Sequence, residues 1–390
     1  MTALPDSFHG FARTSGPAGT RNHLVILSAC GLNAPQGRKL ARALPGSVLI
    51  STDHGRGQLG ADKAFHDRML AALATHPNAG AVVVLAADAA MRQRYQAAVE
   101  QADRPVLGLS LQEADEDAEA LLADAQAAGE RLQATLAAQA RRPCPTSDLI
   151  LAMECGHSDA SSGIVANPLV GEVADAIGLA GGKAIVSETM EWTGTEDSLY
   201  ARCATPETAA KLRRLIQARQ DIARNAGHDV ALGNPGPQNH AGGLTTLEEK
   251  SLGAVAKAGT GAIVGALAQG AAPGAGAGLY LMDTPALSPE SITSMVAAGA
   301  QIVFFTTGHG NPYGSALAPT IKVTANPVTA ARLPRQIDFD AAPAFTGAQP
   351  RAALAGPLLR LMIQVAEGRE TWAERLDECG EAISRQGPSI

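Results

Sequence analysis

"AGAVVVLAADAAMRQRYQAAVEQADRPVLGLSL", residues 79–111, decides the fold class. A valine-rich run (79–86) and the run "PVLGLSL" (105–111) flank a stretch of helical periodicity. Neither run alternates apolar with polar, so each reads as a strand buried on both faces. Strand–helix–strand order makes such strands parallel neighbours under a cover of helices. "HLVILSAC" (23–30) and "SVLIS" (47–51) carry the rhythm toward the N-terminus, and "EDAEALLADAQAAGERLQATLAAQA" (116–140) ends it with a helix. "RRPCPTSD" (141–148) then breaks the periodicity with two prolines.

The rhythm restarts at "DLILAMEC" (148–155) and runs through "KAIVSET" (183–189), "GLYLMDTP" (278–285), "AQIVFFTTG" (300–308) and "PTIKVTAN" (319–326). Helices are expected around 168–180, 206–225, 245–258, 289–298 and 352–367. The architecture expected is therefore α/β, with two Rossmann-like parallel-sheet α/β domains over residues 1–143 and 148–390.

A chain of 390 residues exceeds one ordinary core, which agrees with two domains. The net charge of −7 and the scattered lysines and arginines exclude an electrostatic footprint for nucleic acid, and leave room for a small anionic substrate. No stretch reaches the roughly 20 apolar residues of a membrane helix, and "MTALPDSFHGFARTSG" lacks the basic-then-apolar order of a secretory leader. No membrane partner is expected, and the cytoplasm is. Five cysteines without a CxxC pair fit reduced thiols and exclude a zinc ribbon. The apolar, aromatic-poor composition leads to an expected homo-oligomer.

Ligands of open parallel sheets bind outside the carboxyl ends of the strands, so the residues that follow each run matter most. They include Cys30, Gly31 and Asn33; Asp53, His54 and Gly55; Glu154, Cys155, His157 and Asp159; Glu188 and Glu191; Asp283 and Thr284; Thr306, Thr307 and His309. In "ECGHSDASSGIVANP" (154–168), Glu154 and Asp159 are oxygen donors suited to magnesium, manganese or iron(II). The alternative is that Asp159 or Ser158 caps a helix while Cys155 packs as a small apolar group. "DHGRGQLG" (53–60) holds G-x-G-x-x-G after a strand, with Asp88 ending the next one. It reads either as a dinucleotide fingerprint or as a turn where His54 and Arg56 meet a small anion. "NPGPQNHAGGLTTLEEKSLG" (234–253) is a turn followed by a capping box, and leaves Asn239 to meet a carboxylate at a helix N-terminus. "FFTTGHGNPYGSALAPTIKVTAN" (304–326) is a long glycine and proline loop of the kind that contacts ligands. Thr306, Thr307 and His309 there could hold hydroxyls or move protons. Lys322 could meet a carboxylate, or face solvent on an edge strand.

Six blocks together, "GFARTSGPAGTRNHLVIL", "ECGHSDASSGIVANPLVG", "AIVSETMEWTGTED", "NPGPQNHAGGLTTLEEKSLG", "GLYLMDTP" and "GAQIVFFTTGHGNPYGSALAPTIKVTAN", resemble the signature of the altronate/galactarate dehydratase family. They occur in order over nearly the whole chain. The resemblance implies a β-eliminating lyase, a hydro-lyase that converts a sugar acid or related 2-hydroxy acid to a 2-keto acid. A close branch, the large subunit of sulfolactate sulfo-lyase, releases sulfite and pyruvate. It implies a divalent metal, iron(II) or manganese(II) with magnesium as the alternative, on Glu154, Cys155, Asp159 and His54. His54, His309 and Lys322 are then expected in acid–base roles, and Arg21, Asn22, Arg56, Asn239, Thr306 and Thr307 around a small anionic hydroxy acid. Because the signature starts almost at the N-terminus, the extra domain of sugar-acid members is expected as a separate small subunit. Two other readings stand beside this one. One is an NAD-dependent dehydrogenase built on "GRGQLG". The other is a non-catalytic paralogue, supported by Arg56 and "AADAA" standing where family cysteines would be.

Overall fold

A computed structural model describes residues 4–229 and 234–387. The described residues form two units: 9–144 with 316–318 and 380–387, and 4–8 with 145–229, 234–315 and 319–379.

The N-terminal unit is built on four parallel strands, β1 (His23–Ser28), β2 (Val48–Ser51), β3 (Ala79–Ala86) and β4 (Val106–Ser110), in the order β2-β1-β3-β4. All eight residues of β3 are buried, which is why that run carries no polar alternation. Leu24, Ile26, Val83 and Leu85 of the sheet pack with Leu40 and Leu121 of the covering helices Ala34–Ala43 and Ala118–Ala137, and with Leu44, which caps the first of them. The G-x-G-x-x-G loop follows the edge strand β2. Gly55, Gly57 and Gly60 all take positive φ there, and the loop packs against the end of β1: a Cβ on Gly31 would meet the Asp53 carbonyl oxygen at 2.5 Å. Asp88 caps the helix Ala89–Gln101 by accepting from the Met91 N–H. The glycines therefore make a tight turn that follows β2 and packs against the residues just after β1.

The C-terminal unit holds seven parallel strands: β5 (Ile150–Gly156), β6 (Lys183–Val186), β7 (Ile263–Leu267), β8 (Gly278–Met282), β9 (Ile302–Thr307), β10 (Thr320–Thr324) and β11 (Phe339–Asp340). Their order is β11-β10-β9-β5-β6-β8-β7. From β5 the chain builds one side of the sheet and then returns for the other, so the strand order reverses between β5 and β9, in register Glu154 opposite Phe305 and Cys155 opposite Thr306. Two of these seven strands were not expected from the sequence. In β7 ("IVGAL") a glycine and an alanine dilute the apolar run, and β11 has only two residues. β11 matters for Lys322, because it pairs with β10 and leaves that strand off the sheet edge.

Candidate active site

The carboxyl ends of β5, β6, β8 and β9 surround a cavity of about 240 Å³ lined by Cys155, His157, Glu188, Glu191, Asn239 and Lys250 among others. This is the crevice that a strand-order reversal opens in a parallel sheet.

Strand alternation sends neighbouring residues of β5 to opposite faces. Glu154, fully buried, accepts from Ser291 Oγ at 2.5 Å on the side of the helix Ser288–Ala297. Cys155 meets the end of the segment Leu247–Ala258, where Lys257 Nζ lies 3.0 Å from its sulfur and 2.8 Å from Glu191 Oε2. The thiol passes the chain on, donating to Glu191 Oε2 at 3.2 Å. Lys250 approaches Glu191 Oε1 at 3.5 Å and donates to Asn234 Oδ1.

Burial alone would neutralise every one of these groups. It works against the Glu191 charge, but Lys257 and then Lys250 overcome it and hold that carboxyl down at about 2. Burial pushes the Cys155 thiol up, helped by the Glu191 charge, so sulfur stays protonated. Lys257 keeps its proton in spite of burial, because carboxyl groups surround it. Burial, then the charges of Glu154 and Glu191, lift Glu188 well above the usual carboxyl range. Glu154 is raised as well, mainly by burial, and its bond from Glu188 tempers the rise. The proton of this pair therefore sits on Glu188 and is shared toward Glu154, as expected of two carboxyls too close for both to ionise. Two ammonium groups balance two carboxylates, and one neutral carboxylic acid faces the cavity.

Two residues on the cavity wall hold strained backbone. Glu188 has φ +66° and its N–H donates to Thr284 Oγ1 at 2.8 Å; His157 has φ +52°. The His157 carbonyl accepts from the Gly308 and His309 N–H groups, and its Nδ1 lies 2.9 Å from the Gly310 carbonyl oxygen. A carbonyl can only accept, so Nδ1 carries the hydrogen, and in the neutral ring Nε2 has a free lone pair.

The other expected residues lie as follows. Asn239 reaches the cavity wall, but its amide is spent on the Ser158 carbonyl and the Gly236 N–H. Asp159 accepts from Ser161 Oγ, Ser162 N, Ser162 Oγ and Asn326 Nδ2, which realises the helix-capping alternative. Thr306 donates to Asn167 Oδ1 and Thr307 Oγ1 accepts from Gly310 N, so both brace loops. His309 has a buried Nε2 with no hydrogen-bond partner among the described residues, against Gly242, where a Cβ would come within 3.0 Å. Lys322 is fully buried in β10, its Nζ on the Pro312 carbonyl and 3.4 Å from Glu378, rather than on an exposed edge. Arg21 and Asn22 precede β1, at the amino end of the sheet: the Arg21 guanidinium donates to the Thr20 carbonyl and Asn22 is held by Arg13 and Gln139. His54 and Arg56 belong to the N-terminal unit, where His54 Nδ1 lies 3.3 Å from Arg385 and Arg56 is exposed.

The four donors expected for a divalent metal are thus engaged separately. Among the described residues no three His, Cys, Asp or Glu side chains are placed to hold a metal ion, and the Lys257 ammonium fills the space between Cys155 and Glu191. This donor set does not fit a divalent cation, and no step below passes through one. Sequence reasoning placed Glu188, Glu191 and His157 at strand ends without giving them roles. It missed Lys250, Lys257 and Ser291, which read as ordinary helix residues until the fold buries them.

Sequence models of two domains match the chain: "D-galactarate dehydratase/Altronate hydrolase, second domain" over residues 10–143, and "D-galactarate/Altronate dehydratase, C-terminal" over residues 146–389. The (2R)-sulfolactate sulfo-lyase subunit beta of Chromohalobacter salexigens is 31% identical over 95% of this chain and 95% of its own length. The altronate dehydratases of Escherichia coli and Bacillus subtilis are each 32% identical, over 97% and 98% of this chain and 78% of their own lengths.

Proposed function

The chain belongs to the D-galactarate/altronate dehydratase family, and from that premise we propose that its cavity performs β-elimination on a small 2-hydroxy carboxylate, giving a 2-keto acid. Its relatives are lyases by name, and this chain is a lyase of carbon–oxygen or carbon–sulfur bonds. The dehydrogenase and non-catalytic readings fall with that assignment.

What carries the reading is the placement of Glu188, buried on the cavity wall beside Glu154 and Glu191, where burial and then those two charges raise it well above the usual carboxyl range. Elimination removes the proton on C2 and expels a group from C3; the resulting enol tautomerises to the 2-keto acid. A hydroxyl leaves as water only if a proton reaches it, and a carboxylic acid kept neutral at working pH supplies one. Glu188 donates its proton to the leaving oxygen, the Lys257 ammonium offsets the negative charge this adds to the carboxyl pair, and a proton from solvent restores Glu188 after turnover. The free Nε2 of His157 takes the C2 proton, and Lys250 at the cavity wall binds the substrate carboxylate. Lys257 holds Glu191 ionised and keeps the floor of the site electrically balanced. Strain at His157 and Glu188 fits this use, since side chains are aimed there at the expense of backbone comfort.

A second reading is specifically favoured by the similarity to the sulfo-lyase subunit across 95% of both chains: a sulfonate in place of the hydroxyl. Sulfite departs without a proton, so Glu188 would then orient rather than donate. That relative is named as a beta subunit, and a separately encoded small subunit is proposed for this chain as well. Keto-acid and sulfite release from a panel of aldonic and aldaric acids and sulfolactate, with and without such a subunit, tests both readings. Keto acid without sulfite supports the hydro-lyase, and equimolar sulfite supports the alternative. A panel with neither product overturns the elimination.

A further inference from the structure

The N-terminal unit has its own cavity, about 380 Å³, at the amino end of its sheet, where Gly80 is the second residue of β3 and Pro105 precedes β4. Three arginines, Arg13, Arg104 and Arg142, and one carboxylate, Asp103, stand on its wall. Arg104 is 7% exposed, and its nitrogens donate to the carbonyls of Ala79, Ala102 and Ser15. Arg13 donates to the Pro77 and Arg21 carbonyls and to Asn22 Oδ1. Carbonyl oxygens satisfy N–H groups but leave the charge uncompensated, and each guanidinium carries five N–H groups, more than these contacts use. Among the described residues none of the three arginines is within ion-pair distance of a carboxylate. Burial, and then the repulsion of Arg104, drag Arg13 down to about 10, the mark of cations crowded without a counter-ion. Anchoring loops would account for Arg13 and Arg104. It leaves out Arg142, which is exposed on the same wall and whose side chain has no hydrogen-bond or ion-pair partner among the described residues.

We propose that this cavity binds a small oxyanion carrying two negative charges, a phosphate-type or dicarboxylate group. Three cations less one carboxylate leave two positive charges on the wall. The chain as a whole carries −7, so a basic pocket of this kind is a local feature rather than a consequence of composition. It lies at the opposite end of β3 and β4 from the ligand-binding edge of a parallel sheet, and it is independent of the elimination proposed above.

The test is calorimetric titration of the full chain with inorganic phosphate and, separately, with sodium malonate, at constant ionic strength set by chloride. The expected result is saturable one-site binding with a Kd of about 1 mM or tighter, weakened about tenfold or more in Arg142→Glu without a change in melting temperature. Tighter phosphate than malonate assigns the phosphate class, and the reverse assigns dicarboxylates. Absence of saturation to about 10 mM in both titrations, or equal affinity in Arg142→Glu, overturns the proposal. Arg104→Lys, which keeps the charge but loses the fork, gives a second check within the wall.

Discussion

Replacing Lys257 by methionine tests the charge balance beneath the site. The ammonium is fully buried, 2.8 Å from Glu191 Oε2 and 3.0 Å from the Cys155 sulfur. Methionine nearly matches its volume, so the change removes charge rather than packing. Glu191, itself 4% exposed, then keeps the Cys155 thiol as a donor and, among the described residues, Lys250 at 3.5 Å as its one cationic partner. Breaking a buried pair by deleting one partner costs about 3–5 kcal/mol, and the surviving lysine places this case at the lower end. A second route agrees: lowering Glu191 to about 2 from its usual 4.5 is equivalent to about 3 kcal/mol at neutral pH. The folded carboxyl is the stronger acid, so this contribution is present above pH 4.5 and is lost as pH falls toward 2. Denaturant unfolding at pH 7 should therefore show Lys257→Met about 3 kcal/mol less stable than the wild type, and its pH dependence between 4.5 and 2 should flatten. Adding Glu191→Gln should restore more than half of the loss, since no bare carboxylate then remains. A single variant within about 1 kcal/mol of wild type, or a double variant whose losses simply add, would refute the reasoning.

Three further outcomes follow from individual residues. His157→Gly should relieve a left-handed backbone strain of about 1 kcal/mol while losing a surface hydrogen bond of similar size, so unfolding free energy should stay within about 1 kcal/mol of wild type. Its kcat should nevertheless fall about 10²-fold or more, because the base is gone. Asp338, which burial lifts to about 6, takes up its proton in the folded chain before the unfolded one. Its favourable contribution is present below about pH 3.8 and lost as pH rises to about 6, so Asp338→Asn should flatten the stability profile across that window, read by thermal melts at stepped pH. Asp159→Ala should lower stability by about 2–4 kcal/mol in denaturant unfolding, since Ser161, Ser162 and Asn326 lose a common acceptor.

The parallel sheets were legible because their strands are buried on both faces: Ala79–Ala86 is apolar from end to end and coincides with the run in the sequence. The candidate site was legible for the same reason, since chemistry gathers where such strands stop: Glu154 and Cys155 lie in the last residues of β5, and Glu188 and Glu191 follow β6. What the sequence does not contain is direction. The sequence left Lys322 open between meeting a carboxylate and facing solvent on an edge strand, because the two-residue strand β11 beside it leaves no periodic signal. Lys257 sits in "GAVAKAG", a short amphipathic stretch indistinguishable from a solvated helix end until packing places it against Cys155. Asp159 and Glu154 are five residues apart and chemically alike, yet one caps a helix and the other shares a proton, a difference set by the neighbours each meets.

The central claim is that Glu188 holds a proton at neutral pH and delivers it to the leaving group. The direct measurement is the pH profile of keto-acid formation by Glu188→Gln beside the wild type, on whichever panel acid the wild type converts. The account predicts a kcat lower by about 10²–10⁴-fold with KM nearly unchanged, and the loss of the basic limb that the raised carboxyl imposes on the wild-type profile. A variant that turns over within a few-fold of wild type and keeps that limb would contradict it.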